Sequence, residues 1–125
     1  MQPITQEWIN KAEGDFQAAL ALLAVSEPVY DAVVFHAQQC AEKYLKARLI
    51  DAKVHFPRIH NLGALLDLIL PIEPTWAQIR PQLDALKLLG VEVRYPGTIA
   101  DRDDAEEASE TARTTRDLVR AALGI

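Results

Sequence analysis

His36-Ala37-Gln38-Gln39-Cys40-Ala41-Glu42-Lys43-Tyr44-Leu45-Lys46-Ala47 lies inside a longer stretch, about Tyr30 to Ala52, in which Val33, Val34, Ala37, Ala41, Tyr44, Leu45 and Leu49 fall on one face. Apolar residues at steps of three and four mark an amphipathic helix. His36, Gln39, Lys43 and Lys46 follow steps of three, four and three and form a polar stripe along its border. An apolar face of this length must be covered by other elements, so the next question is what flanks it.

Upstream, about Thr5 to Ser26 repeats the pattern with Trp8, Ala12, Phe16, Ala19, Leu20 and Leu23. Thr5 is read as its N-cap, and Glu27-Pro28 ends it because the residue before proline is pushed out of the α region. Downstream, Pro57 marks a connector that reaches Asn61, the expected cap of a short third helix over about Leu62 to Leu70. A fourth helix is predicted over about Thr75 to Leu89, kinked or delayed by Pro81 and stopped at Gly90. Pro96-Gly97 suits a type II turn. The last helix runs from about Asp103 to Leu123, with Asp103 and Glu106 spaced as a capping box. Its small residues, Ala105, Ala108, Ala112, Thr115, Val119 and Ala122, share one face and predict close packing on the two long N-terminal helices. The expected fold is all-α, an up-and-down bundle of three long helices plus two short ones, in one domain over residues 1–125.

The totals agree. Half of the 125 residues are hydrophobic, enough for one core, and aromatic residues are few. The formal net charge of −5 argues against a general nucleic-acid surface and leaves only a local basic patch for any RNA role. A single cysteine, Cys40, cannot close an internal disulfide. The polar, acidic start has no signal-like apolar core, and no apolar run approaches membrane-spanning length. The expected location is the cytoplasm, with no membrane partner.

Further residues carry a resemblance. Phe35-His36-Ala37-Gln38-Gln39, Glu42-Lys43 and Leu45-Lys46-Ala47 are followed by Pro57-Arg58-Ile59-His60-Asn61-Leu62, by Arg94-Tyr95-Pro96-Gly97 and by an alanine-rich last helix. In this order the set resembles a stand-alone HEPN domain (higher eukaryotes and prokaryotes nucleotide-binding). The resemblance implies a helical bundle that forms a homodimer, often paired with a minimal nucleotidyltransferase in a toxin–antitoxin arrangement. Many such domains are metal-independent ribonucleases with an arginine, four to six residues and a histidine near the start of the last long helix. No histidine follows Arg94 here; all three stand earlier, at 36, 55 and 60. Arg48 and His55 have six residues between them but straddle the wrong helix end. The expected function is therefore a non-catalytic module that binds a nucleotidyltransferase-like protein, with a nucleotide as possible ligand. A ribonuclease, using His36 or His60 with Arg94, is the alternative.

The candidate nucleotide- or phosphate-binding residues are His36, Gln39, Lys43, Arg58, His60 and Arg94. Imidazole and carboxamide groups bond to sugars and bases, while ammonium and guanidinium groups bond to phosphates. Each has a structural counter-reading. The stripe on the second helix can be an ordinary boundary; His60 can cap the connector; Arg94 can pair with Glu42. Arg113, Arg116 and Arg120 share a face of the last helix and are read as a salt-bridged surface with Glu110 and Asp117. Zinc spacings, glycine-rich phosphate loops and nucleophile elbows are absent, so no metal, cofactor or catalytic residue is assigned.

Overall fold

The computed structural model describes residues 1–125 and contains helices and loops only. In order they are α1 (Pro3–Ala24), α2 (Tyr30–Asp51), α3 (Leu62–Ile69), a 3-10 segment (Pro74–Ile79), α4 (Arg80–Glu92) and α5 (Arg102–Leu123). The helical bundle expected from the sequence is what forms. No helix is long and apolar enough to cross a membrane.

Helix α2 is the axis of the fold. It packs mainly against α1 and α5, and also against α3 and α4. A helix contacted from so many sides cannot keep an ordinary polar border, and more than half of its residues are buried, Gln38, Glu42 and Lys46 among them. Around it, Phe16, Tyr44, Leu45, Leu49, Leu65, Leu66, Ile69, Leu83 and Val119 join one core cluster. Ala105, Ala108 and Ala112 bring α5 close to α2 and α1, as their size predicts.

Local signals differ from the sequence reading in three places. Thr5 is not the N-cap of α1; it is fully buried within the helix, which begins at Pro3 because the fixed φ of proline suits the first helical position. The α5 capping box is Asp101 with Asp104, not Asp103 with Glu106. Asp101 Oδ1 accepts from the Asp104 N–H at 2.8 Å, and Asp104 Oδ2 accepts from the Asp101 N–H at 3.0 Å. The acidic run offers both pairs at the same spacing. The choice is made upstream, where the Ala100 N–H donates to the Asp31 carboxylate at 2.8 Å and fixes the chain just before Asp101. Pro81 does delay the α-helix, to Arg80, with a 3-10 segment before it. Gly90, finally, lies inside α4 instead of ending it, and it is buried. A Cβ there would lie 3.5–3.7 Å from the Gln38 side chain, in ordinary contact, so this turn of α4 rests against Gln38 of α2.

Candidate ligand cleft

Gln38 and Glu42 stand one turn apart on the side of α2 that faces the connector and α4. A buried carboxylate is costly unless paired. Glu42 has two partners on one oxygen: Lys46 Nζ donates to Oε2 at 3.0 Å, and His60 Nδ1 lies 3.0 Å from the same atom. Lys46 is itself buried and lies 5.5 Å from the centre of the Trp8 ring and 5.9 Å from that of Phe56, where the ring faces favour a cation. The pair thus holds the connector to α2 through His60. The imidazole remains 78% exposed, and its Nε2 has no partner within the chain.

One residue on, Asn61 caps α3, its Oδ1 accepting from the Ala64 N–H at 3.1 Å. Opposite this wall, Lys87, Gly90, Val91 and Arg94 follow helical spacing along the end of α4. Together with Gln38, His60 and Asn61 they line a cleft of about 180 Å³. Lys87 and Arg94 make no ion pair within the chain, whereas Lys43, Lys46, Arg48, Arg80 and Arg116 all do. At the side of the cleft, the Gln38 Nε2 donates to the His60 carbonyl at a long 3.4 Å, and the Gln38 Oε1 is buried without a partner. The cleft therefore offers two free cations, an imidazole nitrogen and an unused carbonyl-type acceptor. That set fits a small anionic ligand that also carries a hydrogen-bond donor.

Of the residues singled out in the sequence, the structure brings His60 and Arg94 together here. His36 and Lys43 face α1, where Asp15 meets His36 Nδ1 at 2.9 Å and accepts from Lys43 Nζ at 2.6 Å. Gln39 is half-buried and makes no side-chain hydrogen bond, and Arg58 is exposed on the connector outside the cleft lining. The Arg94–Glu42 pair does not form: Lys46 and His60 share Glu42 Oε2, and Oε1 is buried without a partner. Lys46, placed on the polar border by its spacing, is buried. Two cleft residues escaped the sequence reading. Lys87 stands two turns before Arg94 on the same face, a spacing visible in the sequence. Gln38 is four residues before Glu42 on the same side of α2; only the tertiary cover of α4 reveals it as buried.

Of the three arginines read as a salt-bridged face of α5, Arg113 pairs with Glu110 and Arg116 with Glu13 and Asp117, while Arg120 makes no ion pair. Arg116 reaches Glu13 with two bonds, Nε to Oε1 at 2.6 Å and Nη2 to Oε2 at 3.0 Å, and the Tyr44 hydroxyl donates to Glu13 Oε1 at 2.7 Å. The Arg116 hydrogen bonds hold the Glu13 carboxyl down at about 2 against the opposing effect of burial. Burial first, and then the hydrogen bond to Glu13, pushes the Tyr44 phenol up to about 12. Arg113 and Arg116 also stack over Phe16. Burial pushes the Cys40 thiol well above its ordinary value, so it stays protonated in the core. No group of three or more His, Cys, Asp or Glu is placed to hold a metal ion.

The family profile described as HEPN domain matches residues 5–122. A Methanocaldococcus jannaschii protein named "Putative toxin MJ1304" is 30% identical over 129 residues, covering 90% of this chain and 84% of that protein. No solved structure matches the chain significantly.

Proposed function

The chain belongs to the HEPN family, and from that premise we propose that it is a non-catalytic, toxin–antitoxin-type module that homodimerises, binds a nucleotidyltransferase-like protein and takes a nucleotide in the cleft between the connector and α4. The toxin-type part of this reading rests on the name of the Methanocaldococcus relative. The absence of any histidine after Arg94 supports a role other than ribonuclease. One observation carries the ligand. In a chain of net charge −5, Lys87 and Arg94 lie unpaired on one wall of a cleft whose other wall holds His60 and the Asn61 cap of α3. Unpaired cations beside a helix N-terminus favour a phosphate. For the homodimer, the exposed apolar residues Leu88, Val91, Tyr95 and Ile99, at and beyond the end of α4, offer a surface that a second copy would cover.

The partner is tested by co-expressing the tagged chain with the product of the adjacent gene. Recovery of a nucleotidyltransferase-like protein in a stable complex is the expected result; an adjacent gene of another kind, with no such protein recovered, overturns the pairing. The ligand is tested by thermal unfolding with nucleoside monophosphates. A nucleotide at a hundred times its dissociation constant adds about 2.7 kcal/mol of stability.

A second reading has one observation in its favour: His60 and Arg94 share the cleft, and Glu42 holds His60 by Nδ1. An imidazole backed by a carboxylate can move a proton, and a guanidinium can offset charge building on a phosphate. On this reading the purified protein cleaves RNA without added metal, and Arg94→Ala and His60→Ala both abolish cleavage. RNA left intact by the wild-type protein rejects it.

A further inference from the structure

We propose that Gln38 is the residue that reads the sugar of the bound nucleotide: its side-chain oxygen accepts a hydrogen bond from a ribose hydroxyl, while Lys87 and Arg94 hold the phosphate. The inference rests on the nucleotide reading of the same cleft and adds to it the part of the ligand that is recognised.

The first support is the unused acceptor. Gln38 is only 5% exposed, and its Oε1 has no donor anywhere in the chain. Buried polar atoms nearly always have a partner, so one left without, in the wall of a cleft, needs a reason. A ligand that brings the donor supplies one. The second support is that the amide is weakly held. The only bond that fixes the amide is the 3.4 Å contact to the His60 carbonyl, at the long limit of a hydrogen bond. The terminal torsion of glutamine is broad, so the oxygen can turn toward the cleft at little cost. Gly90 helps, because no side chain on the facing turn of α4 stands against the amide.

The third support is size. At about 180 Å³ the cleft falls below the ~300–1,000 Å³ typical of pockets that enclose a drug-sized ligand. It has room for a phosphate and a sugar, with the base projecting outward. The lining agrees in being polar, since Val91 is its one apolar side chain and His60 its one ring. Two unpaired cations and a lone acceptor in one cleft match a phosphate joined to a polyhydroxylated ring.

The test is calorimetric titration of the full-length protein with adenosine and uridine 5′-monophosphates, their 2′,3′-dideoxy counterparts, and inorganic phosphate. The expected result is that both ribonucleotides bind about tenfold more tightly than their dideoxy forms, the loss of one hydrogen bond, with little difference between the two bases. In Gln38→Met, which keeps the length of the side chain without its polar atoms, each ribonucleotide should bind no better than its dideoxy form. The melting temperature of that variant should equal or exceed that of the wild type, because an unsatisfied buried acceptor has been removed. A purely structural Gln38 predicts the reverse, a lower melting temperature. Equal binding of ribo- and dideoxynucleotides by the wild-type protein overturns the inference and leaves the nucleotide reading standing. So does a preference that persists in Gln38→Met. No binding of any nucleotide overturns both.

Discussion

The Glu13–Arg116–Tyr44 network joins α1, α5 and α2, and its contribution to stability should depend on pH in a definite direction. Glu13 falls from an ordinary value of 4.5 to about 2 in the folded chain, chiefly through the Arg116 hydrogen bonds. A depressed carboxyl stabilises the fold above its unfolded value, and that stabilisation is lost as pH drops through the folded value. Taken at face value, the difference corresponds to ~3.4 kcal/mol. The Glu13 side chain is 27% exposed, however, and water screens much of such an interaction. About 1–2 kcal/mol is the reasonable expectation. Glu13→Gln preserves the shape of the side chain and one acceptor for Tyr44, but removes the charge. Urea unfolding should find Glu13→Gln less stable by that amount at pH 7. The gap should begin to close below about pH 5 and be mostly gone near pH 2, where wild-type Glu13 is itself about half protonated. A gap that stays constant from pH 7 to pH 3 would mean that packing, not charge, is responsible. No gap at pH 7 would mean that the bidentate geometry contributes nothing.

Three other changes probe the structure around the cleft. Lys46→Ala leaves the Glu42 carboxylate buried with only His60 beside it, and should cost about 3–5 kcal/mol in denaturant unfolding, whereas Lys46→Met combined with Glu42→Gln should recover most of that loss. Asn61→Ala removes the cap of α3 and should lower stability by about 1 kcal/mol in the same assay. Gly90→Ala meets only ordinary contacts with Gln38 and should raise stability by about 0.5–1 kcal/mol, as alanine in a helix interior does; a loss instead would show that the Gln38 side chain does not tolerate the added methyl group.

How much of this was legible in the sequence varies with the range of the interaction concerned. The helices were, because periodicity and proline are local. The α5 cap was misread by two residues, because Asp101, Asp103, Asp104 and Glu106 present two equivalent spacings and the arbiter is Asp31, some seventy residues away in the chain. Gly90 reads as a terminator in sequence because glycine commonly ends helices; in space it is a contact point with Gln38. The α2 stripe shows the same limit. Residues 36, 39, 43 and 46 are a border only if α2 has one apolar face, and tertiary cover from four other helices divides the stripe into a pair held by α1 and a buried lysine. Arg94 and His60 were found because arginine and histidine attract notice wherever they stand. Gln38 was passed over because a neutral amide in a helix has no marked local signature.

The division of charge around α2 explains why a cationic cleft exists in an acidic chain. On the side facing α1, acids arrive with the partner helix: Asp15 takes His36 and Lys43, and Glu13 takes Arg116. On the side facing α4, the only carboxylate that α2 contributes is Glu42, and it is already engaged by Lys46 below and His60 above. Helix α4 then adds Lys87 and Arg94, and no acid is among the residues that line the cleft. Asp67 and Glu73 lie elsewhere, committed to Arg80 and Arg48. The positive character of the cleft thus follows from local pairing, not from the total. Its contribution should fall with added salt only to the extent that Lys87 and Arg94 are exposed, because the Glu42–Lys46 pair behind them is out of reach of counterions. A ligand held by those two cations should therefore bind less tightly as salt rises, while the wall formed by Gln38, Glu42 and His60 keeps its geometry.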